Sequence, residues 1–170
     1  YPDTEMDDLK DLIARNFRLN EENVLVANGS SEILEKLFFS FGGPKRSIVF
    51  PMPSFSMYNI YAKLSESEAK VVPLEADYTL DVKKFIQAVQ ECDAKLAVVC
   101  TPNNPTGTII PLADIEYIAK NIDCPLAVDE AYVEFYGISA ASLIEKYPNL
   151  IVARTFSKAY GMAAARVGYM

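Results

Sequence analysis

Short apolar runs rich in β-branched residues alternate with amphipathic helical patterns along the whole chain. In the runs 95–100 and 149–153 almost every residue is apolar. A strand that is apolar on both faces is typical of a parallel sheet that helices cover on both sides. The alternation therefore predicts an α/β fold in three layers, in which a mainly parallel, seven-stranded sheet is covered by helices on both faces.

The same patterns give approximate limits for the individual elements. Runs of strand type occupy residues 24–27, 47–50, 70–74, 95–100, 125–128, 149–153 and 166–170. Apolar residues at helical spacing occupy residues 6–17, 33–41, 55–61, 82–89, 112–122 and 140–147. Pro51 is expected to close the second strand, and Asp81 is expected to cap the fourth helix. The chain has no low-complexity tract or internal repeat, so we expect one domain.

Composition excludes several classes of function. The chain has 170 residues, of which 51% are apolar, and its net charge is −7. This length allows one sizeable core, and the acidic balance argues against a nucleic-acid partner. No apolar run reaches the roughly 18 residues of a membrane span. The three cysteines form no C-x-x-C pattern, which predicts a reducing, cytoplasmic setting without disulfides or zinc.

The chain contains no histidine. This excludes Ser-His and Cys-His nucleophile pairs and histidine-based metal sites within the chain, and we expect no metal site at all. Acid–base chemistry must therefore come from lysine, tyrosine, aspartate or glutamate.

The stretch 155–166 reads T-F-S-K-A-Y-G-M-A-A-A-R and follows an apolar run. Its hydroxyls, on Thr155 and Ser157, and the guanidinium of Arg166 are suited to bind a phosphate or a carboxylate. A desolvated amine at Lys158 could act as a nucleophile that forms a Schiff base. Taken alone, such a Ser-Lys pair is more often part of a solvated loop.

Two further segments suggest ligand contacts. Ser30 and Ser31 follow a glycine turn at the predicted start of a helix, where backbone N–H groups can bind an anion. An ordinary helix cap explains them equally well. Phe55 could stack on a flat ligand, and Tyr58 is a second candidate, although aromatic residues at helical spacing are more often core residues.

Two polar segments come directly after buried strands. The run T-P-N-N-P-T-G at 101–107 cannot be helix or strand, and it contains Asn104. Asp129 ends an apolar strand, where a carboxylate is costly unless it meets a cation or a strong donor. Tyr132 lies three residues further on, close enough to serve the same ligand. Because parallel strands end at one edge of a sheet, these loops and Lys158 are expected to face one crevice.

Five motifs and a downstream arginine together resemble one family. The motifs are N-G-S-S-E, P-S-F-S-M-Y, N-N-P-T-G, D-E-A-Y and T-F-S-K-A-Y-G, followed by Arg166. In this order they resemble the fold-type-I pyridoxal-phosphate aminotransferases of the aspartate aminotransferase superfamily. The opening Y-P-D and the run R-T-F-S-K-A-Y-G are similar to the histidinol-phosphate aminotransferase branch.

The resemblance implies a role for each conspicuous residue. Lys158 would hold the cofactor as a Schiff base and move a proton, and Asp129 would pair with the pyridine nitrogen. Asn104 and Tyr132 would bond the 3′ oxygen of the ring, while Phe55 would stack on its face. The phosphate would be held by Ser30, Ser31, Thr155, Ser157 and Arg166. Tyr1 would reach the phosphate of the neighbouring subunit in a homodimer.

The resemblance also implies what this chain is within a larger enzyme. Residues 1–170 would form the large, cofactor-binding domain, with an N-terminal arm and a C-terminal small domain outside it. Many relatives have tyrosine in place of Phe55, and the run M-A-A-A before Arg166 is smaller than usual. The relatives bind the substrate carboxylate with an arginine of the small domain, so this piece alone is expected to turn over poorly or not at all.

The implied activity is transamination between a small-molecule amino donor and a 2-oxo acid, with histidinol phosphate and 2-oxoglutarate as the expected pair. One alternative is a pyridoxal-phosphate lyase that resembles threonine-phosphate decarboxylase. Another is a non-catalytic aminotransferase-like module of a transcription regulator. A doubly wound nucleotide-binding domain is disfavoured, since the chain has neither G-x-G-x-x-G nor G-x-x-x-x-G-K-[ST].

Overall fold

The computed structural model describes residues 3–170 and contains one sheet of seven strands within that range. The strands are β1 (Val26–Ala27), β2 (Ser47–Met52), β3 (Glu68–Pro73), β4 (Leu96–Cys100), β5 (Leu126–Asp129), β6 (Leu150–Thr155) and β7 (Gly168–Tyr169). The α-helices are α1 (Asp7–Phe17), α2 (Ser30–Phe41), α3 (Met57–Leu64), α4 (Val82–Glu91) and α5 (Leu112–Asn121). The predicted fold class is confirmed.

The strand order places the ends of most strands at one edge. The order is β1-β7-β6-β5-β4-β2-β3. Strands β2 to β6 are parallel, while β7 is antiparallel to both of its neighbours, β6 and β1. Strand β1 therefore runs in the same direction as β6. As a result, the loops that follow β1, β2, β4, β5 and β6 emerge at the same edge, and β7 enters the sheet from that edge.

The strand alternation divides the core into two layers. In β4, Leu96, Val98 and Cys100 pack towards α2 and α3, whereas Ala97 and Val99 pack towards α4 and α5. All five are at most 2% exposed. Because both faces of the strand are covered, each large aliphatic side chain contributes roughly 1.5–3 kcal/mol of burial free energy.

Two expectations about individual elements are wrong. Strand β2 does not end at Pro51 but continues to Met52, paired with β3. Its pairing with β4 ends at Val49, so no strand is hydrogen-bonded to Pro51 on that side, and a proline without an N–H donor is tolerated there. The predicted helix at 140–147 is a short 3-10 turn, Ala140–Leu143. The chain continues in i,i+3 turns, with the Ile144 N–H bonded to the Ala141 carbonyl and the Lys146 N–H to the Leu143 carbonyl, and Pro148 disfavours a helical conformation of the residue before it.

A buried ion cluster ties α1, β6 and the segment after β5 together. Arg154 of β6 donates from Nη2 to Oε1 of Glu134 at 2.6 Å, and its Nε lies 4.0 Å from Oε2 of Glu130. The Glu130 carboxylate also accepts from the Ser139 hydroxyl and the Ala140 N–H, both at 2.6 Å. The Arg154 guanidinium lies 4.9 Å from the ring centroid of Phe17 in α1.

An Arg154→Met variant is expected to lose about 3 kcal/mol of unfolding free energy, since removing one partner leaves buried carboxylates uncompensated. Urea denaturation measures this loss. The matched control is Arg15→Met, which breaks an exposed i,i+4 pair with Asp11 and is expected to cost only about 0.5 kcal/mol. Equal losses in the two variants would contradict a structural role for the buried cluster.

Candidate active site

A cavity of about 140 Å³ opens at the edge of the sheet where the five loops meet. Ten of the eleven predicted site residues line it: Ser30, Ser31, Phe55, Asn104, Asp129, Tyr132, Thr155, Ser157, Lys158 and Arg166. The cavity is called the slot below. The eleventh predicted residue, Tyr1, lies outside the described residues. Cys100 and Ala131 also line the slot and were not predicted.

One end of the slot is rich in donors suited to an anion. Ser30 and Ser31 are the first two residues of α2, where backbone N–H groups point out of the helix. The hydroxyl of Tyr61 in α3 donates to the Ser31 carbonyl at 3.1 Å and thereby fixes this turn. Nη1 of Arg166 lies 3.5 Å from the Ser157 hydroxyl oxygen. The first contact orders the start of α2, and the second orders the loop after β6.

Two glycines allow this close approach. Gly29 has φ +82°, and a Cβ there would lie 2.6 Å from Nη2 of Arg166. In β7, a Cβ on Gly168 would lie 2.3 Å from the backbone nitrogen of Ser30. The guanidinium of Arg166 and the backbone of β7 therefore rest directly on the N-terminal turn of α2. Ser30, Ser31, Thr155, Ser157 and Arg166 are called the anion cup below.

Asp129 lies in the wall of the slot at the end of β5 and is 3% exposed. Its Oδ2 accepts from the Tyr58 hydroxyl at 2.8 Å, and its Oδ1 accepts from the Ala131 N–H at 3.1 Å. Burial raises the pKa of Asp129, while these two donors and the charge of Lys158 act in the opposite direction. A buried carboxylate with this environment is suited to bind a protonated nitrogen.

Lys158 follows β6 and lines the same slot as Asp129. Its Nζ lies 5.6 Å from the ring centroid of Tyr132. The preceding turn is fixed by Thr155, whose hydroxyl oxygen accepts from the Ser157 N–H at 3.1 Å. The amine therefore stands on an ordered turn beside the anion cup and near an aromatic ring.

In the loop after β4, the adjacent residues Asn103 and Asn104 have different roles. Asn103 is buried and binds the Ser54 hydroxyl, the Pro53 carbonyl and the Thr106 hydroxyl at 2.7–3.0 Å. Asn104 lines the slot instead. The first asparagine thus fixes the loop, which leaves the second one facing the slot.

The aromatic residues after β2 behave differently from one another. Phe55 lines the slot, as predicted. Tyr58 is 0% exposed and packs in the core beneath Phe55, so the hypothesis that it stacks on a ligand is wrong. The sequence allowed either a ligand contact or a core position for Tyr58, and neither interpretation predicted a hydrogen-bond partner for its hydroxyl.

Cys100 could have been predicted as a slot residue from the sequence. It lies on the same face of its strand as Leu96 and Val98, and it pairs with Asp129 at the end of the neighbouring strand.

The residues present fit pyridoxal phosphate. The anion cup matches its phosphate, the buried Asp129 carboxylate matches its pyridine nitrogen, and Phe55 offers a face for its ring. Lys158 supplies the amine that an aldehyde group requires. The clearance that Gly29 and Gly168 provide shows that the cup is built around the N-terminus of α2.

The fold and the slot place this chain in the class of α/β proteins that depend on pyridoxal phosphate. The chain belongs to the family described as Aminotransferase class I and II, whose family model matches residues 1–170. Pyridoxal phosphate is the cofactor of this family. Among the described residues, no helix is both long enough and apolar enough to cross a membrane.

Several known proteins are similar to this chain. It is 42% identical over 170 residues to histidinol-phosphate aminotransferase of Clostridium novyi and 41% identical over 169 residues to that of Caldanaerobacter subterraneus. These matches cover 100% and 99% of the chain, but 48% of each relative. The chain thus spans about half the length of the curated relatives it matches.

Solved structures agree in fold. The histidinol-phosphate aminotransferase of Sinorhizobium meliloti, in complex with pyridoxal-5′-phosphate, has a TM-score of 0.90 and 30% identity, with coverage of 99% of this chain and 47% of that one. L-threonine-O-3-phosphate decarboxylase from Porphyromonas gingivalis has a TM-score of 0.83 and 25% identity, with coverage of 99% and 50%.

A Gly168→Ala variant is expected to bind pyridoxal phosphate roughly 5- to 150-fold more weakly, because the added methyl group must displace the backbone of Ser30 and overpacking costs about 1–3 kcal/mol. Equilibrium dialysis of the protein expressed at the full length of its gene measures the change. The control is Gly43→Ala beyond the other end of α2, which strains a backbone at φ +128° but brings its Cβ no closer than 3.8 Å to another atom, so it is expected to cost stability without changing the affinity. An unchanged affinity in Gly168→Ala would contradict the proposed position of the phosphate.

Proposed function

We propose that this chain is the cofactor-binding large domain of a pyridoxal-phosphate-dependent aminotransferase that uses histidinol phosphate and 2-oxoglutarate. The observation that carries the proposal is that the Lys158 amine, the Asp129 carboxylate and the anion cup line one slot. A covalent anchor, a partner for a ring nitrogen and a phosphate receptor are the three contacts that this cofactor requires.

The chain's own residues divide the work within the slot. Bound pyridoxal phosphate supplies an electron-accepting ring that stabilises negative charge at the α-carbon of an amino acid or amine. Asp129 would hold a proton on the ring nitrogen, and Phe55 would pack against the face of the ring. Lys158 would anchor the cofactor and would also serve as the base and acid that moves a proton at the α-carbon. Asn104 and Tyr132 would contact the 3′ oxygen of the ring.

The substrate assignment is supported by the relatives rather than by the slot. Both bacterial relatives at 41–42% identity are named histidinol-phosphate aminotransferases. We infer histidinol phosphate as the amino donor from these names and 2-oxoglutarate as the acceptor from the resemblance. A homodimer, in which Tyr1 reaches the neighbouring subunit's phosphate, is part of the same proposal. A reducing, cytoplasmic setting is supported by three free cysteines, of which Cys100 and Cys124 are buried.

A second candidate function is decarboxylation of threonine phosphate. It is supported by the similarity to the Porphyromonas gingivalis decarboxylase. Such an enzyme can share the cofactor contacts, since the two reactions differ in which bond at the α-carbon breaks.

Two assays on the protein expressed at the full length of its gene separate these candidates. The first mixes it with pyridoxal phosphate, histidinol phosphate and 2-oxoglutarate and measures glutamate. The second supplies threonine phosphate and measures carbon dioxide. Glutamate formation without carbon dioxide release is the expected result. Carbon dioxide release without glutamate would replace the aminotransferase proposal with the lyase.

A further inference from the structure

Tyr58 contacts two walls of the slot without lining it. Its hydroxyl donates to Oδ2 of Asp129 at 2.8 Å, and its ring lies edge-on to Phe55, with the centroids 5.7 Å apart and the planes at 88°. We propose that Tyr58 is a positioning residue that fixes both the carboxylate and the stacking ring of the slot. The inference rests on the proposed function, because it concerns the same cofactor contacts.

The position of Tyr58 itself is tightly determined. The residue lies in the first turn of α3 and is 0% exposed. Its ring is stacked with Phe38 at 6.3 Å and 12° and contacts Phe50 at 5.8 Å and 59°. Aromatic pairs in such geometries add roughly 0.5–1.5 kcal/mol beyond burial. The hydroxyl is therefore held at a fixed point by the packed core of α2, α3 and β2.

The hydrogen bond leaves Asp129 able to accept from a ligand. A carboxylate oxygen has two lone-pair sites, and Tyr58 and the Ala131 N–H each occupy a site on a different oxygen. The two donors hold the plane of the carboxylate from both sides. Each oxygen keeps one site for a protonated ring nitrogen. Without the Tyr58 hydroxyl, only the backbone donor of this pair remains and the carboxylate can rotate.

The Tyr58 hydroxyl also affects the ionisation of Asp129. Burial and the neighbouring Asp129 charge raise the pKa of Tyr58, so the phenol stays a neutral donor. Cys100 from β4, Tyr61 from α3 and Lys158 after β6 also interact electrostatically with Asp129. Burial raises the pKa of Asp129 and the Tyr58 bond lowers it, so the bond favours the ionised form that binds a cation.

The decisive variant is Tyr58→Phe in the protein expressed at the full length of its gene, with affinity for pyridoxal phosphate measured by equilibrium dialysis across a pH series. Loss of a hydrogen bond to a charged group is expected to weaken binding about tenfold at neutral pH. Because the pKa of Asp129 rises without the donor, the acidic midpoint of cofactor binding is expected to move to higher pH. A structural role alone would leave that midpoint in place.

The matched control is Tyr147→Phe, which removes a tyrosine hydroxyl that donates to the Glu116 carboxylate at 2.9 Å, away from the slot residues. It is expected to leave both affinity and midpoint unchanged. In an Asp129→Asn background, Tyr58→Phe is expected to cost less than in the wild type, since the charged partner is already gone.

The outcomes are distinct. Equal affinity and midpoint for Tyr58→Phe and the wild type would overturn the positioning role while the proposed function stands. An equal loss in the wild-type and Asp129→Asn backgrounds would also overturn it. If the wild-type protein binds no pyridoxal phosphate at all, the proposed function fails, and the inference fails with it.

Discussion

A Lys158→Ala variant of the protein expressed at the full length of its gene is expected to lose at least about 10³-fold in kcat/KM for the proposed transamination. The expected loss combines a positioned acid–base group, worth about 10²–10⁴-fold, with the covalent anchor of the cofactor. Lys158 lines the slot with Asp129 and the anion cup. Noncovalent contacts from those residues remain, so the variant is expected to bind some pyridoxal phosphate but to lack turnover.

The control for this variant is Lys83→Ala, which removes an exposed lysine from α4. We expect that variant to keep the wild-type rate. If Lys158→Ala retained more than about one tenth of the wild-type kcat/KM, the role of Lys158 as the general acid and base would be wrong.

An Asp129→Asn variant is expected to lose about 10²–10⁴-fold in kcat/KM, which corresponds to the cost of about 3–5 kcal/mol for leaving a charged group without its buried partner. The neutral amide cannot hold the proton on the ring nitrogen. Steady-state kinetics and equilibrium dialysis measure the two consequences, slower turnover and weaker cofactor binding.

The same substitution is expected to raise the Tm of the cofactor-free protein at neutral pH. Burial raises the folded-state pKa of Asp129, so its favourable contribution to stability is present at low pH and is lost as pH rises through that pKa. At neutral pH the buried charge therefore destabilises the fold, and asparagine removes it. A lower Tm with unchanged kinetics would show that Asp129 is structural and not part of the site.

The layered fold follows from sequence because its signal is local. In β4, Leu96 to Cys100 are apolar on both faces, and this pattern alone indicates a covered parallel strand. The order of strands is not local, since the pairing of β4 with β2 on one side and β5 on the other depends on contacts between distant segments. The direction of β7 has the same origin, and it matters because it places Arg166, two residues before β7, at the edge where the slot opens.

A slot residue could be predicted from the sequence where a chemically reactive or charged side chain lies at the end of a predicted strand. Lys158 and Asp129 stand directly after or at the end of strands, and parallel strands end at one edge. Tyr58 could not be assigned in this way. Its spacing indicates a helix face, but the meeting of its hydroxyl with Asp129 depends on how α3 packs over β5. The close approach of Gly168 to Ser30 is likewise a property of packing between distant segments.

The short turn at Ala140–Leu143 shows a limit of helical periodicity. Its apolar spacing is helical, and Ser139 and Glu130 accept from the first N–H groups of the segment, but the chain after Leu143 continues as turns up to Tyr147, next to Pro148. Glu130 and Asp129 are adjacent in sequence but have different roles. The Glu130 carboxylate orders the backbone at Ala140, and the Asp129 carboxylate lines the slot.

The most direct measurement is chemical labelling of the slot. The protein expressed at the full length of its gene is incubated with pyridoxal phosphate, reduced with borohydride and digested, and the modified peptide is identified by mass spectrometry. Reduction makes the bond between the cofactor and its lysine permanent. The expected result is one pyridoxyl group on the peptide that contains Lys158, and a label confined to any other lysine would contradict the assignment of the slot.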